Sequence, residues 1–345
     1  MIPSAGRKKR LNLIRRLARV AITLVAGGMV LLAAGYQIGP EAFWLVALAQ
    51  YVPYPLFLVP SFAALGLSLT LGWRWRLSAF LGFLLALTSI TGLEFNQTRV
   101  GPDQIRVMTY NVKDYITIRR ENGLSDIASE VSRHDPDIVV LQDARRVADD
   151  PQTLRSMFAG RQTFAFGQYV VASRFPLRDC ARREIPFREE PHTYVSCVVT
   201  ANGMDFGLIT AHFLTPRAGL TATRHNPLAG ISEWKQNIAD RLSQAGRMAE
   251  DLRSLPRPTI VAGDLNAPDT SLVVRALLDE GLRDAFSVAG FGYGHTWGHS
   301  LRFRLSFLRI DHILVSPEFV VTSCFVGGAL GSEHRPVIAD LYLIR

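Results

Sequence analysis

Cysteine is scarce in this 345-residue chain, and the three present, Cys180, Cys197 and Cys324, form no CxxC pair. Zinc held through thiolates is therefore not expected. Cys180 and Cys197 are either a staple between neighbouring strands in an oxidising compartment or two buried thiols. Acidic residues are almost missing from the first hundred positions, where Glu41 and Glu94 stand against ten Lys and Arg. The whole chain holds 38 Lys/Arg and 30 Asp/Glu, so 28 of each are left for residues 101–345. The larger part of the chain thus has no net charge and no bulk cationic field to gather polyanions. The formal +8 belongs to the N-terminal hundred, where membrane topology accounts for it.

Charge is absent altogether from Val20 to Pro40. A run of ~20 apolar residues is what a bilayer asks of a helix. A signal peptide also has basic residues before its apolar region, but this run is long, and further apolar chain follows instead of a small-residue cleavage site. A second uncharged stretch lies between Glu41 and Arg74 and is broken by Pro53, Pro55 and Pro60. It reads as an interfacial helix at Ala42–Tyr51, carrying Phe43 and Trp44, followed by another span. Residues 1–100 are expected to be a membrane anchor with three transmembrane helices at about 18–38, 54–73 and 77–94, and 101–345 a separate domain. Seven Lys/Arg precede the first span, and Arg74 and Arg76 lie between the second and third. Positive-inside then puts both segments in the cytoplasm and the domain outside, on a multi-pass protein of the cell (inner) membrane.

From Ile105 the pattern changes to short β-branched runs alternating with amphipathic helices. Strands are expected at 105–112, 137–143, 163–173, 192–201, 205–213, 259–264, 310–316, 320–327 and 336–343. Helices are expected at 124–134, within 231–254 and near 271–280. Interleaved helices with directly adjoining strands predict an α/β sandwich of two packed mixed sheets with outer helices, four layers in all.

Polar residues recur at the strand ends: Asn111, Asp143, His212, the Asp264/Asn266 pair and Asp311, with Glu333-His334 just before the last strand. Asp264 and Asn266 project alike from an extended segment. Together these groups offer oxygen ligands for a hard cation and two imidazoles for proton transfer.

The blocks Thr-Tyr-Asn-Val (109–112), Pro-Asp-Ile-Val-Val-Leu-Gln-Asp (136–143), Thr-Ala-His-Phe (210–213) and Gly-Asp-Leu-Asn-Ala-Pro (263–268) follow one another. His-Thr-Trp (295–297), Arg-Ile-Asp-His-Ile-Leu (309–314) and Ser-Glu-His-Arg-Pro (332–336) complete the series. In this order and spacing, residues 105–343 resemble the endonuclease/exonuclease/phosphatase superfamily, the deoxyribonuclease I-like fold. The resemblance implies a metal-dependent hydrolase of phosphoric ester bonds. Asn111 and Asp143 would hold a divalent metal, magnesium or manganese, with Glu333 beside them. Asp264 would orient or deprotonate the attacking water, and Asn266 would steady it and the phosphate. His212 and His334 would contact phosphate oxygens, and Asp311 would fix the His334 ring. Two positions depart from the family pattern: Asp143 where glutamate is usual, and Glu333 where aspartate is usual.

Of the remaining histidines, His192, His225, His295 and His299 read as loop or surface residues, and only His295, beside Thr296-Trp297, has a claim to the site's rim. Arg302, Arg304 and Arg309 read as a solvated basic loop, and Trp297 as packing. The function expected is a membrane-anchored phosphoesterase acting at the outer face on a phosphate ester or pyrophosphate, lipid-linked; membrane-bound relatives of this kind are associated with polyprenyl pyrophosphate and envelope chemistry. The alternatives are an extracytoplasmic nuclease and a catalytically weakened binding domain. The expected partners are a lipid bilayer and a phosphorylated substrate, lipid-linked or nucleic acid; no protein partner is implied.

Overall fold

The structure is a computed structural model that describes residues 5–101, 103–185, 187, 191–255, 258–302 and 304–344, without the side chains of 5–7 and 227. The chain divides into two compact units, Met1–Glu94 and Phe95–Arg345.

The first unit is helical. Its longest element, Ala5–Ile38, contains the stretch Lys8–Ile38, which is long and apolar enough to cross a membrane. Pro55–Ser68 follows the short helix Trp44–Ala49, and Trp73–Leu85 continues as a π-helical turn over Ala86–Ile90. The stretches expected as a second and third span are therefore shorter helices. Pro55 opens one, and the turn ending at Gly72 separates it from the next. Small residues line the contacts between them. Ala18, Ala64 and Ala79 pack with Ile22 and Leu71, and a Cβ on Gly82 would lie 2.9 Å from the Ala26 backbone. The large apolar side chains point outward instead, Leu31 at 75% and Phe62 at 68% exposure.

The second unit holds two six-stranded sheets. The strands are β1 (Ile105–Asn111), β2 (Ile138–Gln142), β3 (Gln162–Phe166), β4 (Tyr169–Ser173), β5 (Leu177–Ile185) and β6 (His192–Ala201). They continue as β7 (Met204–His212), β8 (Thr259–Asp264), β9 (Arg283–Asp284), β10 (Asp311–Val315), β11 (Phe319–Val326) and β12 (Val337–Leu343). One sheet runs β11-β12-β1-β2-β4-β3 and the other β9-β10-β8-β7-β6-β5. Each has a single parallel pair, β1 with β2 and β7 with β8. Their facing sides bury Val107, Val140, Val171, Val199, Leu208, Ala262 and Ile313. The helix Leu124–His134 covers the outer side of the first sheet through Ile127 and Val131. Pro227–Ser254 and Leu272–Leu278 cover the second through Met248, Leu252 and Val274. The result is the four-layer arrangement expected from the alternation of elements.

Period-two geometry positions the site. Along β1 the row 105, 107, 109 faces the other sheet and ends at Asn111; along β8 the row 260, 262 ends at Asp264. The same count runs 138, 140, 142 on β2, 206, 208, 210, 212 on β7 and 315, 313, 311 on β10. At one end of the sandwich each of these five inward rows thus changes from apolar to polar.

Two local expectations change. The continuous strand at 163–173 is the hairpin β3–β4, because Gly167 takes a positive φ of 59° that a strand cannot hold. Strand β5 and the helix Arg217–His225 appear where no element was expected. β5 alternates only weakly, and its edge position lets Arg178, Arg182 and Arg183 face solvent. Cys180 and Cys197 are joined, tying β5 to β6, and Cys324 is a buried thiol.

Candidate active site

Asp264 is the hub. Its strand pairs with β10 so that Asp264 lies opposite Asp311, and with β7 so that it lies beside His212. The close approach requires glycine just before it: a Cβ on Gly263 would sit 2.1 Å from the Ala211 carbonyl oxygen. The Asn111 amide donates to Asp264 Oδ2 at 2.8 Å, and the Asn266 backbone N–H donates to Oδ1 at 2.8 Å. His212 Nε2 stands 3.5 Å from Oδ2, and His334 Nδ1 3.8 Å from the same oxygen. His334 Nδ1 makes its closer bond to Asp311, at 2.9 Å. Ligand atoms of Asp264, Asp311 and His334 all lie within 4.8 Å of one another.

Burial raises the Asp264 carboxyl above its usual range, and the Asp311 charge adds to this; His334 and His212 only partly offset it. Burial alone would lower the His334 imidazole, but Asp311 and Asp264 outweigh it and raise the ring's affinity for a proton. A buried carboxylate that readily takes a proton therefore faces an imidazole that readily keeps one.

Asn266 sits in the left-handed region at φ 50°, which asparagine tolerates better than most residues. Its amide donates to the Phe213 carbonyl at 2.9 Å, so the side chain ties the end of β7 to the Asp264 turn. Arg241 secures the same turn from the long helix, donating to the Asn266 carbonyl at 2.7 Å. Asp143, φ 50°, follows β2, whose Gln142 pairs with Asn111. Its carboxylate is one-fifth exposed and 3.6 Å from His212 Nδ1. Glu333 is turned to Lys113, whose ammonium pairs with it at 3.0 Å. Burial would raise the Glu333 carboxyl, but that ammonium holds it below its usual value. The Lys113 backbone N–H in turn donates to Asn111 Oδ1 at 3.2 Å.

The structure thus brings Asn111, His212, Asp264, Asp311 and His334 into direct contact. Asp143 lies at their margin through His212, Asn266 beneath them through backbone bonds, and Glu333 beside them through Lys113. Several partners escaped the sequence reading. Gln168 at the β3–β4 turn fixes His212 Nδ1 at 2.8 Å, and the Tyr169 hydroxyl accepts from the His212 backbone at 3.1 Å. Gln142 spans the two sheets beneath the site, donating to Thr210 at 2.8 Å. Lys113 did carry a signal, a cation two residues after Asn111. Gln168 carried none, since its hairpin was read as continuous strand.

Two peripheral readings are corrected. Arg309 is buried, not solvated: it pairs with Asp284 at 2.6 Å and Asp269 at 2.9 Å because it closes the turn after Asp264 from below. His192 is half-buried, its Nδ1 accepting from Gln244 at 2.8 Å. The His299 ring donates to the Ser332 carbonyl at 3.1 Å. His295 stacks on Tyr293, and Trp297 packs edge-on against Phe307.

The endonuclease/exonuclease/phosphatase family profile matches residues 108–334. Solved structures share the fold. An endonuclease/exonuclease/phosphatase from Beutenbergia cavernae is 20% identical, TM-score 0.53, over 70% of this chain and 72% of that one. A mannosyl-6-phosphatase from Bacteroides thetaiotaomicron is 19% identical, TM-score 0.52, over 69% and 100%. Truncated Caenorhabditis elegans TDP2 is 17% identical, TM-score 0.51, over 69% and 97%. No curated protein matches the chain.

Proposed function

The chain belongs to the endonuclease/exonuclease/phosphatase family, and from that membership we propose a membrane-anchored, divalent-metal-dependent phosphoesterase that hydrolyses a lipid-linked phosphate ester or pyrophosphate at the outer face of the cell membrane. The observation that carries the chemistry is the convergence of Asn111, His212 and His334 on Asp264 at 2.8, 3.5 and 3.8 Å.

The donor set fits a hard cation, since carboxylates and a carboxamide predominate. Asn111 and Asp143, on adjoining strand ends, would hold magnesium or manganese, with Glu333 acting through Lys113. When bound, the cation neutralises charge that develops on the phosphoryl oxygens. Asp264, with its raised proton affinity, receives the proton of the attacking water. Asn266 keeps that carboxylate aimed through its backbone N–H. His334, oriented by Asp311, presents its other ring nitrogen as a donor to a phosphate oxygen, and His212 does the same from β7.

Anchoring is supported by Lys8–Ile38 and by the inside-out character of the first unit, with alanine and glycine at helix contacts and Leu and Phe outside. On this reading Pro55–Ser68 and Trp73–Ile90 are the second and third spans, and residues 101–345 lie outside by the positive-inside rule. The Cys180–Cys197 disulfide suits an oxidising compartment.

The test is an assay of the full chain in nanodiscs with magnesium, offering a polyprenyl pyrophosphate, a phosphodiester lipid and plasmid DNA. Hydrolysis of a lipid substrate, abolished by a chelator, is the expected result. Cleavage of the plasmid alone would replace this reading with an extracytoplasmic nuclease. Absence of turnover on all three would leave a binding domain, with Asp143, one methylene short of the usual glutamate, as the first suspect.

A further inference from the structure

The mouth of the site has a rim whose composition the hydrolytic chemistry does not call for. Three loops meet there. The Thr117 hydroxyl donates to the Gly331 carbonyl at 3.0 Å, Arg120 donates to the Leu330 carbonyl at 2.9 Å, and the His299 ring donates to the Ser332 carbonyl at 3.1 Å. Ser332 donates to the Asn111 carbonyl at 2.7 Å, so all three loops are laced to a strand end that carries a site residue. Each loop nevertheless lifts an aliphatic side chain into solvent: Ile118 is 44%, Leu301 45% and Leu330 71% exposed. Arg119 and Arg302, both exposed, stand beside them.

A single exposed aliphatic residue needs no explanation. Three on loops bound to one another, interleaved with arginines in a domain of no net charge, form a surface suited to a partner. We infer that this rim is where the catalytic unit rests on an anionic bilayer, so that a phosphate carried by a lipid headgroup enters the site from the membrane surface. The inference rests on the anchored reading above and adds to it which face of the domain meets the lipid. The aliphatic groups match the headgroup–acyl boundary, and the guanidiniums match anionic headgroups. A single-stranded nucleic acid would instead call for aromatic platforms. Among the described exposed residues of these loops, only Tyr115 is aromatic.

The experiment uses the full chain in phosphatidylglycerol nanodiscs. Because Cys180 and Cys197 are bonded and Cys324 is buried, an added surface cysteine takes the label. An environment-sensitive fluorophore is placed on Ile118→Cys or Leu330→Cys, with Asp205→Cys as control. Asp205 lies on β7 at the far end from His212. Lipid-borne quenchers should dim the two rim probes more than the control by on the order of threefold, and high salt should narrow that difference. Equal quenching at the three positions overturns the inference. So does a rim probe that responds to a single-stranded oligonucleotide and not to lipid. A chain that fails to co-purify with nanodiscs overturns the anchoring itself, whereas an anchored chain with an unquenched rim overturns only the docking. A second pair, Ile118→Ser and Leu330→Ser, should lose hydrolysis of a bilayer-embedded phosphoester while keeping that of a water-soluble one; equal loss on both counts against the inference.

Discussion

Asp264 and His334 are both buried, and the surroundings of each raise its affinity for a proton. Burial and the Asp311 charge raise one carboxyl, and the same Asp311 charge raises the imidazole facing it. If Asp264 takes the proton of the attacking water, Asp264→Asn should lower kcat by about 10²–10⁴-fold, with circular dichroism unchanged. Unaltered turnover would refute the assignment. Gly263 makes a different demand. Its Cβ would meet the Ala211 backbone, at 2.1 Å from the oxygen and 2.9 Å from the nitrogen, and backbone cannot swing aside as a side chain can. Gly263→Ala should therefore cost about 1–3 kcal/mol in chemical denaturation and reduce activity too, since Asp264 is the next residue. A variant of full stability and full activity would show that β7 and β8 can separate.

Between residue and sheet lies the turn that carries Asp264, Asn266, Ala267 and Asp269. It is clamped from β10, where His312 Nδ1 bonds Asp284 and Nε2 bonds the Ala267 carbonyl, each at 2.9 Å. Arg309 joins Asp284 to Asp269 in the same cluster. Burial alone would raise the Asp284 carboxyl, but Arg309 and His312 overcome it and hold it well below the usual carboxylate range. A depressed folded-state pKa means that the stabilisation is complete above the unfolded value, roughly 3.9, and is lost as pH falls through the folded value. Asp284→Asn should lose about 3–5 kcal/mol at neutral pH, as breaking one member of a buried ion cluster does. It should also show a shallower decline of stability between pH 4 and pH 2, roughly the range of that linkage. Denaturation curves at several pH values decide the matter, and parallel curves for variant and parent would exclude the cluster as an acid-sensitive element.

At the scale of the whole molecule, the charge asymmetry and the disulfide bear on where the domain works. The Cys180–Cys197 bond closes a 17-residue separation at the sheet edge formed by β5 and β6. Cross-linking a loop of this size stabilises by about 3 kcal/mol on the chain-entropy estimate. Cys180→Ser/Cys197→Ser should accordingly lower the Tm of the catalytic unit in the reconstituted protein, while the parent in strong reductant falls to the same value. A parent insensitive to reductant, with a variant of equal Tm, would show that the bond does not form. The basic excess lies wholly in the first hundred residues, and residues 101–345 carry equal numbers of acidic and basic side chains.

The local periodicities were legible in the chain itself. Alternation along 105–111 and 259–264 made strands, a 3.6-residue repeat made the helix at 124–134, and polar residues just past the apolar runs marked where a site would lie. What the chain could not show is which side chains meet. His212 leans on Gln168 because a glycine turn folds β3 onto β4; Asn266 turns its amide to Phe213 because β7 and β8 run parallel; Glu333 goes to Lys113 because Ser332 ties its loop to the end of β1. Arg309 was read as solvated because its two carboxylate partners lie 25 and 40 positions away in sequence. Periodicity is a property of neighbours along the backbone, and one strand suffices to reveal it. Contact, burial and charge coupling are properties of packed sheets, and only the closed sandwich decides them.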